Sequence, residues 1–291
     1  MMFQYDCPLY RPPSEARSLI FQVTLGCSHN TCTFCSMYRS KAFQVRPWAA
    51  LEAELREGAE AYPHIKRIFL ADGDAMVLSY DQLVRILRTI RTLWPHGPQV
   101  SIYARSEGVL DKSDEELAHL RDLGLVLLYI GLESGDDQIL ERVQKGETVA
   151  DIVTACDRAQ AAGMAVSVMA IVGLAGKAGS DRHALETAQA LNRIRPRYIG
   201  LLTLMVEPDT PLDDQVRAGT FQPLSPEEAV AEMRTLMAAL DTPGSYFSST
   251  HPSNYFVLSG QLNAAKADLL EELDFLLAHP GQLYGNHYRR L

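Results

Sequence analysis

Apolar and polar positions along this chain follow two alternating rhythms. Short runs rich in β-branched and aromatic residues lie at 19–25, 66–71, 99–104, 125–130, 165–172 and 197–206, each long enough for a buried strand. Between them apolar residues recur three and four apart, as in Leu83, Ile86, Leu87 and Ile90, or Ile152, Cys156 and Ala159, the spacing of a helix with one buried face. Helix boundaries carry their own chemistry. Ser113 with Glu116 and Ser225 with Glu228 read as capping boxes, Pro226 suits a first helical turn, and Gly124 and Gly163 stand where helices stop. A strand followed by a helix, repeated six times, predicts a parallel sheet in an α/β fold. The pattern alone does not choose between a doubly wound sheet and one curled into a barrel.

Two regions fall outside the alternation. Residues 1–18 contain Pro8, Pro12 and Pro13 and read as an irregular lead-in. After residue 212 come a helical pattern at 227–240, a turn-rich stretch at 241–260, a second helical pattern at 266–277 and a polar tail. The expected organisation is therefore a lead-in at 1–18, a core at 19–212 and a C-terminal extension at 213–291 that serves as a substrate lid.

Composition narrows the function classes. With 291 residues and 47% hydrophobic content the chain supports a sizeable core and is not a disordered polymer. A formal charge of -9, from 27 Lys and Arg against 36 Asp and Glu, disfavours a phosphate backbone as partner. The first residues carry no charged leader, and no apolar run approaches the roughly eighteen residues of a membrane span, so the cytoplasm is the expected address and no membrane partner is expected. Five cysteines are present, and three of them fall within nine residues, which suits a metal or cluster site rather than a disulfide framework.

Those three, Cys27, Cys32 and Cys35, lie in the segment from Gly26 to Tyr38 that directly follows the first predicted strand. Closely spaced thiolates can each bind a different iron of one cubane, and three of them leave one iron open to a small molecule. A structural zinc site that adds His29 to the cysteines is the alternative. The segment resembles the cluster loop of the radical S-adenosylmethionine (SAM) superfamily, with Phe34 in the aromatic position before the third cysteine. Four residues separate Cys27 from Cys32, where the commonest spacing in that family has three.

The resemblance extends to the strand ends and covers 19–212. It implies a partial (β/α)6 barrel with a C-terminal helical and loop extension, in the broad branch of the oxygen-independent porphyrinogen oxidases. Cofactor-binding groups then gather at the carboxyl ends of the strands. Asp72, Gly73 and Asp74 stand where the family holds the amino group of SAM, and an ordinary Asp-Gly turn is the alternative for them. Arg105 suits the SAM carboxylate or a surface salt bridge. Glu133 and Ser134, in Gly-Leu-Glu-Ser-Gly, occupy the position of the family's ribose or methionine contacts, and Val172 with Gly173 that of its adenine contacts. The stretch from Val206 to Leu212 resembles a proline-rich turn that closes such cores.

The implied cofactors are a [4Fe–4S] cluster and SAM, and the implied function is reductive SAM cleavage that starts radical chemistry on a small-molecule substrate. An electron donor such as flavodoxin or ferredoxin and sensitivity to oxygen follow from the low potential such a cluster needs. No side-chain nucleophile is required, because the difficult chemistry belongs to cluster and cofactor. An RNA- or protein-modifying radical SAM enzyme and a non-catalytic zinc-binding interaction domain are the alternatives. Cys156 is expected in the core, Cys7 as a lone thiol, and His64, His96, His119 and His183 as solvated groups without a role. The stretch 246–260 concentrates hydroxyls, an amide, an imidazole and aromatics, so His251, Ser253, Asn254 and Tyr255 are expected to face the substrate, with an ordinary surface loop as the alternative.

Overall fold

Strands stand at all six expected places in the computed structural model, which describes residues 5–289, but the first, expected at 19–25, is broken at Val23 into two strands of different sheets. The strands are β1 (Leu19–Gln22), β2 (Thr24–Leu25), β3 (Gln44–Val45), β4 (Arg67–Ala71), β5 (Gln99–Ala104), β6 (Leu125–Glu133), β7 (Ala165–Val172), β8 (Tyr198–Thr203), β9 (Tyr246–Ser248) and β10 (Ser259–Gln261). The helices are α1 (Trp48–Ala61), α2 (Tyr80–Leu93), α3 (Ser106–Leu110), α4 (Asp114–Asp122), α5 (Asp137–Arg142), α6 (Val149–Ala161), α7 (Ser180–Ile194), α8 (Pro211–Arg217), α9 (Pro226–Ala239) and α10 (Leu262–Ala278). Eight of the strands make one mostly parallel sheet with helices in the crossovers, an α/β fold. No helix among the described residues is long and apolar enough to cross a membrane.

The chain forms two compact units whose segments interleave. One takes residues up to 30, 37–130 and 154–166, and the other takes 31–36, 131–153 and 167 onward. In the first, β1 lies parallel to β4 with Leu19 opposite Ile68, and β4 parallel to β5 with Arg67 opposite Gln99. Ile68, Phe69, Leu70 and Ala71 are all fully buried, as befits a strand covered on both faces, and each large side chain there contributes about 1.5–3 kcal/mol. Helix α2 buries Leu83, Ile86, Leu87 and Ile90, the residues whose spacing predicted it, and starts with a Ser79–Gln82 capping box. The lead-in is less irregular than expected. Its Glu15 is buried and accepts hydrogen bonds from Tyr129 (2.6 Å), Arg67 (2.6 Å), Ser101 (3.0 Å) and Ser18, so residues before the first strand hold β4, β5 and β6 together.

In the second unit β7 runs parallel to β8 from Ser167 opposite Tyr198 to Val172 opposite Thr203, and β8 parallel to β9. Strand β10 then returns antiparallel to β9. Helix α9 packs between α7 and α10. Strand β9 and all but the last residue of β10 lie within the stretch expected to be turn-rich. At three residues each, with serine and glycine among them, they are too short to show an alternation.

Candidate active site

In the first unit the cysteine loop begins at a left-handed glycine, Gly26 (φ 74°), directly after β2, and Cys27 follows it. Asp72, at the end of β4, fastens both ends of this loop. Its carboxylate accepts from the Gly26 N–H (3.1 Å), from Gln22 Nε2 (3.2 Å) and from the Lys41 ammonium (3.2 Å), and Lys41 also donates to the Asp6 carbonyl (2.6 Å). Burial pushes the Asp72 carboxyl up from its ordinary value, and the bonds from Gln22, Gly26 and Lys41 oppose that rise. Gly73 N donates to Gly26 O (3.1 Å), and a Cβ on Gly73 would lie 2.5 Å from the Tyr38 ring and 3.1 Å from Cys27 Cβ. Asp74 accepts from Ser28 Oγ (2.5 Å) and from the Arg105 N–H (3.3 Å). Arg105 is buried rather than on the surface, and its guanidinium meets Glu107 (3.3 Å).

The Asp72 carboxylate is thus bonded to donors of the protein itself, Oδ1 to Gln22 and Oδ2 to Gln22, Gly26 and Lys41, and it clamps the loop. Sequence reasoning saw the acid at the strand end but had no way to see Lys41, its buried partner.

Cys32 and Cys35 belong to the second unit, in a segment stitched down by Thr33 N to Val143 O (2.9 Å) and Leu212 N to Thr33 O (3.1 Å). The end of the proline-rich stretch is thus bonded to the cysteine segment. Cys35 N donates to Cys32 O (3.2 Å), which makes the pair a tight turn. Phe34 packs on the apolar cluster of Ile139, Val143, Ile171, Leu174 and Ala175, so its ring anchors the segment. Glu133 sits at φ 59°, and its Oε1 accepts from Lys145 (3.1 Å). A Cβ on Gly131 would lie 1.9 Å from that oxygen, so only glycine leaves room for the Glu133 carboxylate. Ser134 is buried and accepts from Asp136 N (3.1 Å) at the start of α5.

Lys145 is the residue sequence reasoning missed. Burial alone would lower its ammonium, but Glu133, Glu147 and the Cys32 thiol overcome that and hold it above the usual lysine range. Its sequence signal is no more than a Lys-Gly pair just beyond α5. Gly173 (φ 86°) follows β7, and its N–H donates to Glu232 (2.7 Å) of α9, to which the buried His183 is also bonded (2.9 Å). The expectation that His183 is solvated is therefore overturned. Cys156 lies in the core and Cys7 is exposed, and none of the five cysteines is in a disulfide.

The stretch 246–260 is tied to β8 and to the tail by bonds within the protein. Asn254 is buried, accepts from Thr203 Oγ1 (2.7 Å) and donates to Leu201 O (2.8 Å) and Ser249 O (2.9 Å). Ser253 is buried and accepts from Thr203 N (3.2 Å). Tyr255 lies under the Arg289 guanidinium (4.1 Å to the ring centroid) and its hydroxyl accepts from it (2.6 Å). These three side chains clip the loop and the tail to β8. His251, half-buried, is the member of the four with a less occupied ring.

A family model, the radical SAM superfamily, matches residues 21–188. The chain belongs to the radical SAM superfamily. This radical SAM protein is 26% identical over 227 residues to the heme chaperone HemW of Bacillus subtilis (strain 168), a match over 75% of this chain and 58% of that one. Coproporphyrinogen III oxidase (HemN) from Escherichia coli aligns with a TM-score of 0.59 at 18% identity, over 79% of this chain and 53% of that one. The radical SAM methyltransferase TsrM from Kitasatospora setae, with cobalamin and a [4Fe–4S] cluster bound, aligns at 0.59 and 17% identity, over 88% and 52%. The chain thus spans little more than half the length of these relatives. Its fold is the partial barrel of the superfamily, and its cofactors are a [4Fe–4S] cluster and SAM. Members of this class need a substrate and an electron donor.

The residues present fit that pair of cofactors. Three thiols outside any disulfide, within nine residues of sequence, are the donor set of a cluster with one open iron.

Proposed function

We propose that this radical SAM enzyme cleaves SAM reductively and directs the resulting radical chemistry at a small organic substrate. The observation that carries the reading is the match of the radical SAM family model, together with three thiols outside any disulfide within nine residues of sequence. Cys27, Cys32 and Cys35 hold the cluster. Gly73 and Asp74 border the amino end of SAM, and Arg105 supplies positive charge for its carboxylate. Glu133 and Ser134 face the ribose or methionine part, and Val172 and Gly173 the adenine. Together the cluster and SAM supply a low-potential electron and a scissile carbon–sulfur bond. The protein's share is to bind, orient and keep water and oxygen away. His251 is the side chain of the 246–260 stretch best placed to touch substrate.

A small substrate is favoured over RNA by the charge of -9 and by Arg289, whose guanidinium donors are taken by Ser253 O, Tyr255 Oη, Asn286 Oδ1, Thr203 O and Leu204 O. Arg290 lies outside the described residues. Flavodoxin or ferredoxin is the proposed donor and the cytoplasm the proposed location. Likeness to HemW favours a second reading, in which the bound molecule is haem.

The test is anaerobic reconstitution, reduction with dithionite and assay for 5′-deoxyadenosine after SAM is added. Formation that disappears in Cys32→Ala is the expected result. Zinc in place of iron, or full iron and sulfide with no SAM cleavage under any substrate or donor, overturns the proposal. A stoichiometric haem absorption band on titration, without SAM cleavage, would replace it with the second reading.

A further inference from the structure

Helix α9 lies in the C-terminal extension, yet its Glu232 reaches the turn that follows β7. The carboxylate is buried and makes three hydrogen bonds: Oε1 accepts from the Gly173 N–H (2.7 Å) and from His183 Nδ1 (2.9 Å), and Oε2 from Ser180 Oγ. Gly173 is in the left-handed region (φ 86°), and the same turn is closed by Gly176 N to Gly173 O (3.0 Å) and Leu204 N to Val172 O (2.8 Å). The Nε2 atom of His183 is buried with no hydrogen-bond partner among the described residues. The His183 ring therefore has one polar contact, and that contact is Glu232.

We infer that Glu232 is a positioning residue for the adenine end of SAM, acting through the Gly173 turn. A bond from a backbone N–H to a buried carboxylate is among the stronger kinds a protein makes, and it fixes the plane of the peptide joining Val172 to Gly173. Glycine would otherwise let that peptide rotate. Ser180 and His183, both on α7, hold the carboxylate from its other side, so the turn is referred to two helices and not to its own backbone alone. The extension then belongs to the cofactor site as well as to any lid. This inference rests on the reading of Val172 and Gly173 as adenine contacts.

The experiment measures SAM binding by equilibrium dialysis on the anaerobically reconstituted full chain, together with iron per chain and the shift of the cluster's EPR spectrum with free methionine. Methionine carries the chelating end of SAM but no adenine. Glu232→Ala should weaken SAM binding about tenfold while iron content and the methionine response stay as in the wild type. Glu232→Gln, which keeps an acceptor for the Gly173 N–H, should stay within about threefold of the wild type. Equal SAM affinity in Glu232→Ala at full iron overturns the inference. So does a parallel loss of iron and methionine response, which marks a merely structural role, or a Gln variant as impaired as the Ala one. Gly173→Val separates this from failure of the underlying reading, since a β-branched residue is strained at that φ. Normal SAM binding in Gly173→Val sinks the adenine assignment itself. Weakened binding there beside normal binding in Glu232→Ala sinks the role of Glu232 alone.

Discussion

Asp72 and Lys41 form a buried ion pair, 3.2 Å apart, whose partners are 31 positions distant in sequence. Removing one member strands a charge in the core, which costs about 3–5 kcal/mol, whereas removing both costs less than the sum. Asp72→Asn and Lys41→Met should each lower unfolding free energy by about 3 kcal/mol and reduce iron retained per chain, and the double variant should recover part of both. Strict additivity in denaturant titrations would remove the clamp from the account. Asn254 poses a simpler case. Its replacement by Ala leaves Leu201 O and Ser249 O without their donor and Thr203 Oγ1 without its acceptor, for an expected loss of about 2–4 kcal/mol with iron content unchanged. Urea unfolding measures it, and a change under about 0.5 kcal/mol would place Asn254 with the substrate after all. The sequence marked Asp72 as an acid at a strand end and Asn254 as an amide in a turn-rich stretch. It held no sign of which polar atoms their partners would consume, because those partners are remote in the chain.

Between β9 and β10 the chain runs through His251, and here the chemistry of one ring governs an element. Burial holds His251 below the ordinary histidine value of about 6.5, and its Nδ1 accepts from the Ser253 N–H (3.1 Å), a bond that only the neutral ring can make. As pH falls the unfolded chain takes up this proton first. The stabilisation is therefore present above about pH 6.5 and is lost as pH drops through that value toward the lower folded-state pKa. Melting temperature followed from about pH 8 to 5 should fall more steeply for the wild type than for His251→Asn, and identical slopes would exclude the ring. Elements with strong periodicity were legible: β7 has the bounds expected of it, and α9 and α10 differ from expectation by a few residues. Strands β9 and β10 were not, since their pairing with β8 and each other supplies what three-residue segments lack in pattern.

For the molecule as a whole, six strand–helix repeats made an α/β parallel sheet readable, but closure toward a barrel depends on strand tilt and stagger, which leave no mark on apolar spacing. The cysteine loop and the order of strand ends supplied what periodicity could not, through the family they resemble. The interleaved units were not legible at all, because they are defined by contacts between distant segments. Interleaving also has a consequence in time. A chain is made from its N-terminus, yet Thr33, between Cys32 and Cys35, waits for Leu212 to bond its carbonyl, 179 residues later (212 − 33). At about 5–20 residues per second, that carbonyl in a nascent chain stays without this donor for roughly ten to forty seconds. Tethering of the cysteine segment to the start of α8 is therefore a late step in the making of the chain.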